Sequence, residues 1–447
     1  MDFSPRQLLT ALKQHPGAHR YWVGYSGGLD SHVLLHAMVA LQAALAPGEV
    51  RAIHVNHGLS PHAKAWAEHC QKVCRDLGVS CDVAAVDARP VNGEGPEAAA
   101  RRARYAAIAQ VMVAGDCLVT AHHQDDQAET VLLQLLRGAG PHGLSGMPAH
   151  APFGPGSHAR PLLAFTRRSL HHYATVHGLA WIEDESNVNV NLERNYLRHE
   201  ILPRLRRHWP AASRTLDRAA RHSQAAAAML DAMAQEDLAR VSGPDPQCLS
   251  LVELAALGPA RMRNTLRYWL RQRGLPLPGS EHMDQVAAQM FAAPADREPR
   301  VSWPGAEMRR YRDRLYAFPP AGEFGTDETF PWDITQAMTL PPGGGVLSAR
   351  EQIGAGVRAE LCYSGAVAVC FRKGGERCQP VGAAHSRTLK NLFQERGIPP
   401  WVRERTPLVY IGGRLAAVAD LWICQPFAAR PGERGIVFHW QRCDAGS

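Results

Sequence analysis

Between residues 21 and 137, short apolar runs alternate with amphipathic stretches at a spacing that admits very few folds. Tyr21–Tyr25, Arg51–Val55, Val79–Asp87 and Asp116–Ala121 read as strands. Asp30–Leu45, Pro61–Leu77, Pro96–Val113 and Asp125–Arg137 read as the helices that follow them. A strand, a crossover helix and a parallel strand close right-handedly, so the repetition predicts an α/β doubly wound parallel sheet. Ligands on such sheets sit beyond the carboxyl ends of the strands. The chemistry-bearing motifs of this chain lie at those ends.

With 447 residues the chain is too long for one core, and two or three domains are expected. The doubly wound domain spans 1–208. Its Gly- and Pro-rich stretch 138–156 reads as an irregular flap, and 166–178 as a helix with Thr166 as N-cap. A polar loop, 183–195, leads into a basic helix ending near 208. Ala-rich sequence then opens a helical middle domain, 211–320. Residues 319–345 read as a linker, and 345–442 as a small α+β C-terminal domain. No run of about 18 apolar residues occurs, and the N-terminal stretch lacks the apolar core of a signal peptide. The expected location is the cytoplasm.

The strongest motif is Ser26-Gly27-Gly28-Leu29-Asp30-Ser31, between the first strand and its helix. Two glycines allow a tight turn that exposes successive N–H groups, and the helix N-terminus adds positive potential. Ser26 and Ser31 can donate to phosphate oxygens. Asp30 would repel a phosphate unless Mg²⁺ lay between them, so it reads as a metal ligand. An ordinary capped turn is the bland alternative. Gly24-Tyr25-Ser26-Gly27-Gly28 also fits a hydrolase nucleophile elbow, but that elbow normally follows several strands, not the first. No Gly-Lys-Ser/Thr occurs, which excludes a Walker-type site. Gly138–Gly143 spells a dinucleotide fingerprint after a helix instead of a strand, and carries no weight.

Weaker signals close the other strands. His54-Val55-Asn56-His57-Gly58-Leu59 could set backbone groups and His57 beside a nucleotide. Arg101 or Arg104 could reach a phosphate from the sheet edge, although Glu97 and Arg101 at i and i+4 are commonly just helix support. In Thr120-Ala121-His122-His123-Gln124-Asp125-Asp126-Gln127-Ala128-Glu129-Thr130, three carboxylates crowd a helix N-terminus. The helix dipole favours them there, and they could equally grip an ammonium group. His122 and His123 lack the spacing of a zinc site.

The loop resembles the pyrophosphatase-type (PP-loop) turn of ATP-splitting enzymes that adenylate a carbonyl oxygen. These include GMP synthetase, argininosuccinate synthetase, tRNA thiolases and tRNA(Ile)-lysidine synthetases. The ordered set of motifs is similar to the last family. Further matching segments are Glu183-Asp184-Glu185-Ser186-Asn187, Arg194-Asn195-Tyr196-Leu197-Arg198, Arg372-Lys373-Gly374-Gly375-Glu376 and Thr388–Phe393. The resemblance implies ATP and Mg²⁺, with Ser26–Ser31, His57 and His123 on the nucleotide and Asp30 on the metal. It implies Asp30, Arg101, Asp126 and Glu129 as catalytic residues, the last two also receiving free lysine. Arg194 or Arg198 would pair with the lysine carboxylate. Arg372, Lys373 and Lys390 would contact an isoleucine tRNA with a CAU anticodon, and a homodimer is expected.

Charge supports a polyanionic partner. Net charge is +7, but Arg194–Arg221 holds eight arginines against Glu200 and Asp217, a net of +6. Residues 372–405 hold eight basic residues against Glu376, Glu395 and Glu404, a net of +5, near Trp401, Phe393 and Lys390. Solvated helix faces would give the same count. No Cys-x-x-Cys occurs, which counts against the thiolase branch. Cys70 and Cys74 near His69 read as buried thiols rather than metal ligands. Two readings stay open beside lysidine formation: another PP-loop adenylating enzyme, or a non-catalytic RNA-binding protein with a vestigial ATP site.

Overall fold

The computed structural model describes residues 2–442, apart from 59, 91–94, 186–188, 244, 246, 295–296, 321–327 and 342–343. Leu59, Ser186, Asn187 and parts of the 319–345 stretch therefore lie outside the described residues. Contacts divide the chain into two units, Met1–Met229 and Leu230–Ser447.

The first unit opens with α1 (Pro5–Leu12), β1 (Arg20–Gly24), α2 (Leu29–Ala40), α3 (Gln42–Leu45), β2 (Glu49–Asn56) and α4 (Ala63–Asp76). It continues through β3 (Cys81–Ala85), α5 (Pro96–Val111), β4 (Asp116–Val119), α6 (Gln124–Leu136) and α7 (Pro141–Leu144). Then come β5 (His150–Phe153), β6 (Gly156–Ala159), α8 (Arg167–Val176) and α9 (Glu193–Tyr196). A π-helical turn, Leu197–Ile201, joins α9 to α10 (Leu202–His208). A thirty-residue helix, α11 (Ala212–Val241), contains the boundary between the units.

The sheet order is β3-β2-β1-β4-β6-β5, parallel except for the edge strand β5. Strand β1 is central, and Tyr21, Trp22 and Val23 are all buried. Alternation sends Trp22 to one face with Ile53, Leu118, Ile108 and Met112. Tyr21 and Val23 go to the other, against Leu34, Leu35, Met38 and Leu170. A strand covered on both faces shows an unbroken apolar run, which is why β1 stood out. Each such side chain stabilises by about 1.5–3 kcal/mol on burial. Because β1 has β2 on one side and β4 on the other, the connections leave in opposite directions and open a crevice at its carboxyl end.

Residues 138–156 are not the irregular flap expected. They contain α7 and strand β5, whose hairpin with β6 extends the sheet. The glycines that suggested a loop serve the strands. Gly154 turns the hairpin at φ 52°, and a Cβ on Gly156 would lie 2.2 Å from the Asp116 carbonyl oxygen. Helix α8 starts as expected, with Thr166 Oγ1 accepting from the Ser169 N–H at 3.2 Å.

In the second unit, the stretch expected to be helical also holds a four-stranded antiparallel sheet. It comprises Cys248–Ser250, Arg314–Phe318, Ala306–Tyr311 and Arg300–Trp303, in that order, with Trp269, Leu266 and Met308 in the core beneath. A separate core around Val369, Phe371, Phe393 and Leu408 lies between antiparallel sheets of residues 330–441. Phe393 is fully buried there, and Trp401 packs edge-on against Tyr316 with centroids 5.3 Å apart. Both side chains take part in the packing of the second unit.

Asp116 Oδ2 accepts from Trp22 Nε1 at 2.9 Å deep in the first unit. Asp116→Ala, which strands that indole N–H, should cost about 1–3 kcal/mol in urea unfolding. Adding Trp22→Phe should recover part of the loss, because the orphaned donor is then gone.

Candidate active site

At the end of β1 the chain turns through Ser26–Gly28 into α2. Gly27 sits at φ 84°, and a Cβ there would come within 2.8 Å of Ile182 Cδ1 and 3.0 Å of Cys70 Sγ. Only glycine fits. Gly28 is the N-cap and supplies no side-chain cap, so the first N–H groups of α2 stay open to a ligand. Ser26 Oγ and Ser31 Oγ lie 3.0 Å apart, and Ser31 Oγ donates to the Gly28 carbonyl at 3.0 Å. Asp30 stands in the first turn, its Oδ2 3.6 Å from His123 Nε2. Its Oδ1 is buried without a hydrogen-bond partner. A bare carboxylate oxygen beside open N–H groups is what a hard, phosphate-bound cation would use, so the residues fit Mg²⁺.

This loop forms one wall of a cavity of about 790 Å³ at the carboxyl ends of β1, β2 and β4. Its other walls include Ile53, Asn56, His57, Thr120, Trp181 and Arg198. That volume suits a nucleotide. His57 Nε2 accepts from Arg104 at 3.3 Å. Burial and Arg104 push its pKa down to about 4, which leaves the ring uncharged. Arg104 lines the cavity, whereas Arg101 lies over the Tyr105 ring, 5.0 Å from its centroid, outside the lining.

Beyond the loop lies an ion cluster. His123 and Asp126 cap α6 reciprocally: the His123 N–H donates to Asp126 Oδ2 at 3.0 Å, and the Asp126 N–H donates to His123 Nδ1 at 3.3 Å. Arg198, on the π-helical turn, donates through Nε to Glu129 Oε1 at 2.7 Å and through Nη2 to Asp126 Oδ1 at 2.8 Å. Arg194 Nε stands 3.4 Å from Glu129 Oε2, and Arg206 Nη2 bonds Asp125 Oδ1 at 2.5 Å. Burial raises the Glu129 pKa despite Arg198, because this carboxylate is wholly enclosed. Burial also acts on Asp126, but His123, His122 and Arg198 outweigh it and hold that carboxyl below its usual range. For His123, Asp126 and Asp30 overcome burial and raise the pKa.

Family models match three stretches: a PP-loop domain over residues 3–205, a TilS substrate binding domain over 249–316 and a TilS substrate C-terminal domain over 367–440. A tRNA(Ile)-lysidine synthase of Alkalilimnicola ehrlichii is 46% identical over 97% of this chain and 97% of its own length. The chain belongs to the tRNA(Ile)-lysidine synthase family. The Methylococcus capsulatus relative is 43% identical over 95% of this chain and 97% of its own, and that of Escherichia coli O157:H7 is 39% identical over 98% of each. It is thus an ATP-using ligase of the PP-loop type.

Against this family background, the loop residues, Asp30, His57 and Arg198 meet at the main cavity, with Gly27 packed just behind its wall. His123 and Glu129 line a second cavity of about 390 Å³ with Asp125, Arg167 and Arg206. Asp126 and Arg194 join through the ion cluster. Sequence reasoning left out Arg206 and Arg167, since nothing in their spacing marks them. Arg194, Arg198 and Arg206 of the first basic window are taken up by carboxylates, so much of its charge is internal. In the second unit, Arg377↔Thr388 pairing brings Arg372–Glu376 beside the helix Leu389–Glu395 that carries Lys390. Gly374 and Gly375 have φ of 105° and 84°, and Glu376 Oε1 accepts from the Lys373 and Gly374 N–H groups. Among the described residues no cluster of three His, Cys, Asp or Glu side chains could hold a metal by itself, and no helix is long and apolar enough to cross a membrane.

Arg198→Ala should destabilise the protein by on the order of 3 kcal/mol at neutral pH, because it leaves Glu129 buried and poorly compensated. The loss should shrink as pH falls and Glu129 takes up a proton. Urea midpoints at pH 7 and pH 5 check this, and equal losses at both would refute it.

Proposed function

We propose that the chain joins free lysine to carbon-2 of the wobble cytidine of a CAU-anticodon isoleucine tRNA, consuming ATP and releasing AMP and pyrophosphate. A single observation carries the placement: the open N–H groups of α2 and the Asp126–Glu129–Arg198 cluster are linked through Asp30 and His123. The phosphate end and the amine end of a ligation would then occupy two adjoining cavities that have Arg167, Arg198 and His199 in common.

The carbonyl oxygen of cytidine attacks the α-phosphorus of ATP, and pyrophosphate leaves. The backbone of Ser26–Ser31 and the serine hydroxyls would hold the phosphates. Mg²⁺ at Asp30 would offset charge on the departing pyrophosphate. Lysine then attacks carbon-2 through its side-chain amine, and AMP leaves with the carbonyl oxygen. The amine arrives as an ammonium and must lose a proton before it can attack. Asp126, kept charged, suits holding the ammonium. Glu129, whose proton affinity is raised by enclosure, suits accepting the proton.

The guanidiniums that now occupy these carboxylates have a use. Lysine brings one carboxylate and an ammonium side chain. It can insert by exchanging partners, its carboxylate to Arg194 or Arg198 and its side-chain ammonium to Asp126 and Glu129, so that neither these guanidiniums nor these carboxylates lose a counter-charge. Arg101 is proposed to meet RNA or phosphate at the rim rather than inside the cavity. Arg372, Lys373 and Lys390 are proposed to contact tRNA phosphates from the second unit.

Labelled lysine should enter CAU isoleucine tRNA only with ATP present. Asp30→Asn should cut incorporation by about 100-fold or more, as loss of a metal-held charge at the reacting phosphate does. Glu129→Gln should raise the apparent KM for lysine while leaving ATP binding unchanged, and an unaltered lysine dependence would remove Glu129 from this role. Affinity for tRNA should fall steeply between low and moderate salt, since phosphate contacts release counterions. A flat salt profile speaks against a polyanion.

A further inference from the structure

One wall of the main cavity, at the end of β4, carries a polar chain that none of these assignments uses. Arg160, largely buried, reaches His158 Nδ1 through Nη2 at 2.9 Å and the Pro148 carbonyl through Nη1 at 2.9 Å. His158 Nε2 lies 2.8 Å from Thr120 Oγ1, and Thr120 Oγ1 lies 2.8 Å from His122 Nδ1. Thr120 and His122 line the cavity.

The direction of every hydrogen in this chain follows from its first member. A guanidinium has donors only, so His158 Nδ1 accepts and the ring carries its hydrogen on Nε2. That hydrogen goes to Thr120 Oγ1, whose own hydrogen goes to His122 Nδ1. His122 must then carry its hydrogen on Nε2, an atom with no hydrogen-bond partner among the described residues. Burial, with Arg160 nearby, lowers His158 to about 2 and His122 to about 3, so both rings stay neutral. The result is a permanent N–H donor at the cavity wall, neither a base nor a charge.

We infer that His122 donates this hydrogen to the carbonyl–N3 acceptor edge of the cytosine being activated, with Thr120, His158 and Arg160 as positioning residues that hold its tautomer. The inference rests on the wobble base entering this cavity. The base has to lie between the phosphate loop and the ion cluster, and the cavity that His122 lines is bounded by both Ser26–Ser31 and Arg198. When the amine adds to carbon-2, an electron pair moves onto that edge of the ring. A fixed neutral donor stabilises the developing charge without protonating the base beforehand.

Thr120→Val is the sharpest probe, because it removes one hydroxyl and keeps the methyl that packs toward Gly24. It should lower kcat for lysine incorporation at least ten-fold, with ATP affinity by calorimetry within two-fold of the parent, and Thr120→Ser should restore most of the rate. His122→Ala should lose about 100-fold, and His122→Gln, whose amide nitrogen can occupy the Nε2 position, should retain at least ten times more activity than the alanine variant. A Thr120→Val enzyme at parental rate would overturn the relay. Equal losses in the Gln and Ala variants, or a loss of ATP affinity matching the loss of kcat, would overturn the donor role. A parent protein that incorporates no lysine would instead count against the proposed function.

Discussion

The turn between β1 and α2 has no room for a side chain at Gly27, and the site is arranged around that restriction. With the backbone forced through φ 84° against Ile182 and Cys70, the first N–H groups of α2 face the crevice. Asp30 is thereby set against His123. His123 caps α6 together with Asp126, and Asp126 shares Arg198 with Glu129. One unbroken series of contacts joins the glycine turn to the Asp126 and Glu129 carboxylates.

Enclosing this much charge is costly, and its stability comes from mutual pairing. Glu129 is fully enclosed whereas Asp126 keeps 13% of its side chain exposed, and their proton affinities move in opposite directions. Asp126 has both His123 and Arg198 close by, and accepts the backbone N–H of His123. Glu129 has only guanidiniums to set against complete removal from water. Two carboxylates one helical turn apart thus differ in proton affinity because of what surrounds them, which is the property the proposed division of roles between them draws on.

The fold of the first unit was legible because period and burial agree: a strand covered on both faces needs a continuous apolar run, and β1 has one. The loop was legible because Gly27, Gly28 and Asp30 act through local backbone geometry. Residues 138–156 misled, since a glycine that permits close approach of strands looks the same as a glycine in a loop. The basic windows also read too simply. Arg194, Arg198 and Arg206 turn inward to carboxylates, Arg403 is buried against Tyr311, and Trp401 and Phe393 pack within the second unit. Charge counts along a chain do not register the carboxylates that meet them from distant segments.

By itself the sequence determined the order of strands and helices from β1 to α6, the glycine turn after β1 and the helix carrying Asp126 and Glu129, because each depends on neighbours within a few residues. Tertiary structure alone decided which arginines reach those carboxylates, that Arg104 and not Arg101 lines the cavity, and that Arg160 sets the tautomer of His122 through two intermediaries. Such pairings join residues tens of positions apart, and their partners exist only once the sheet has brought separate strand ends to one edge.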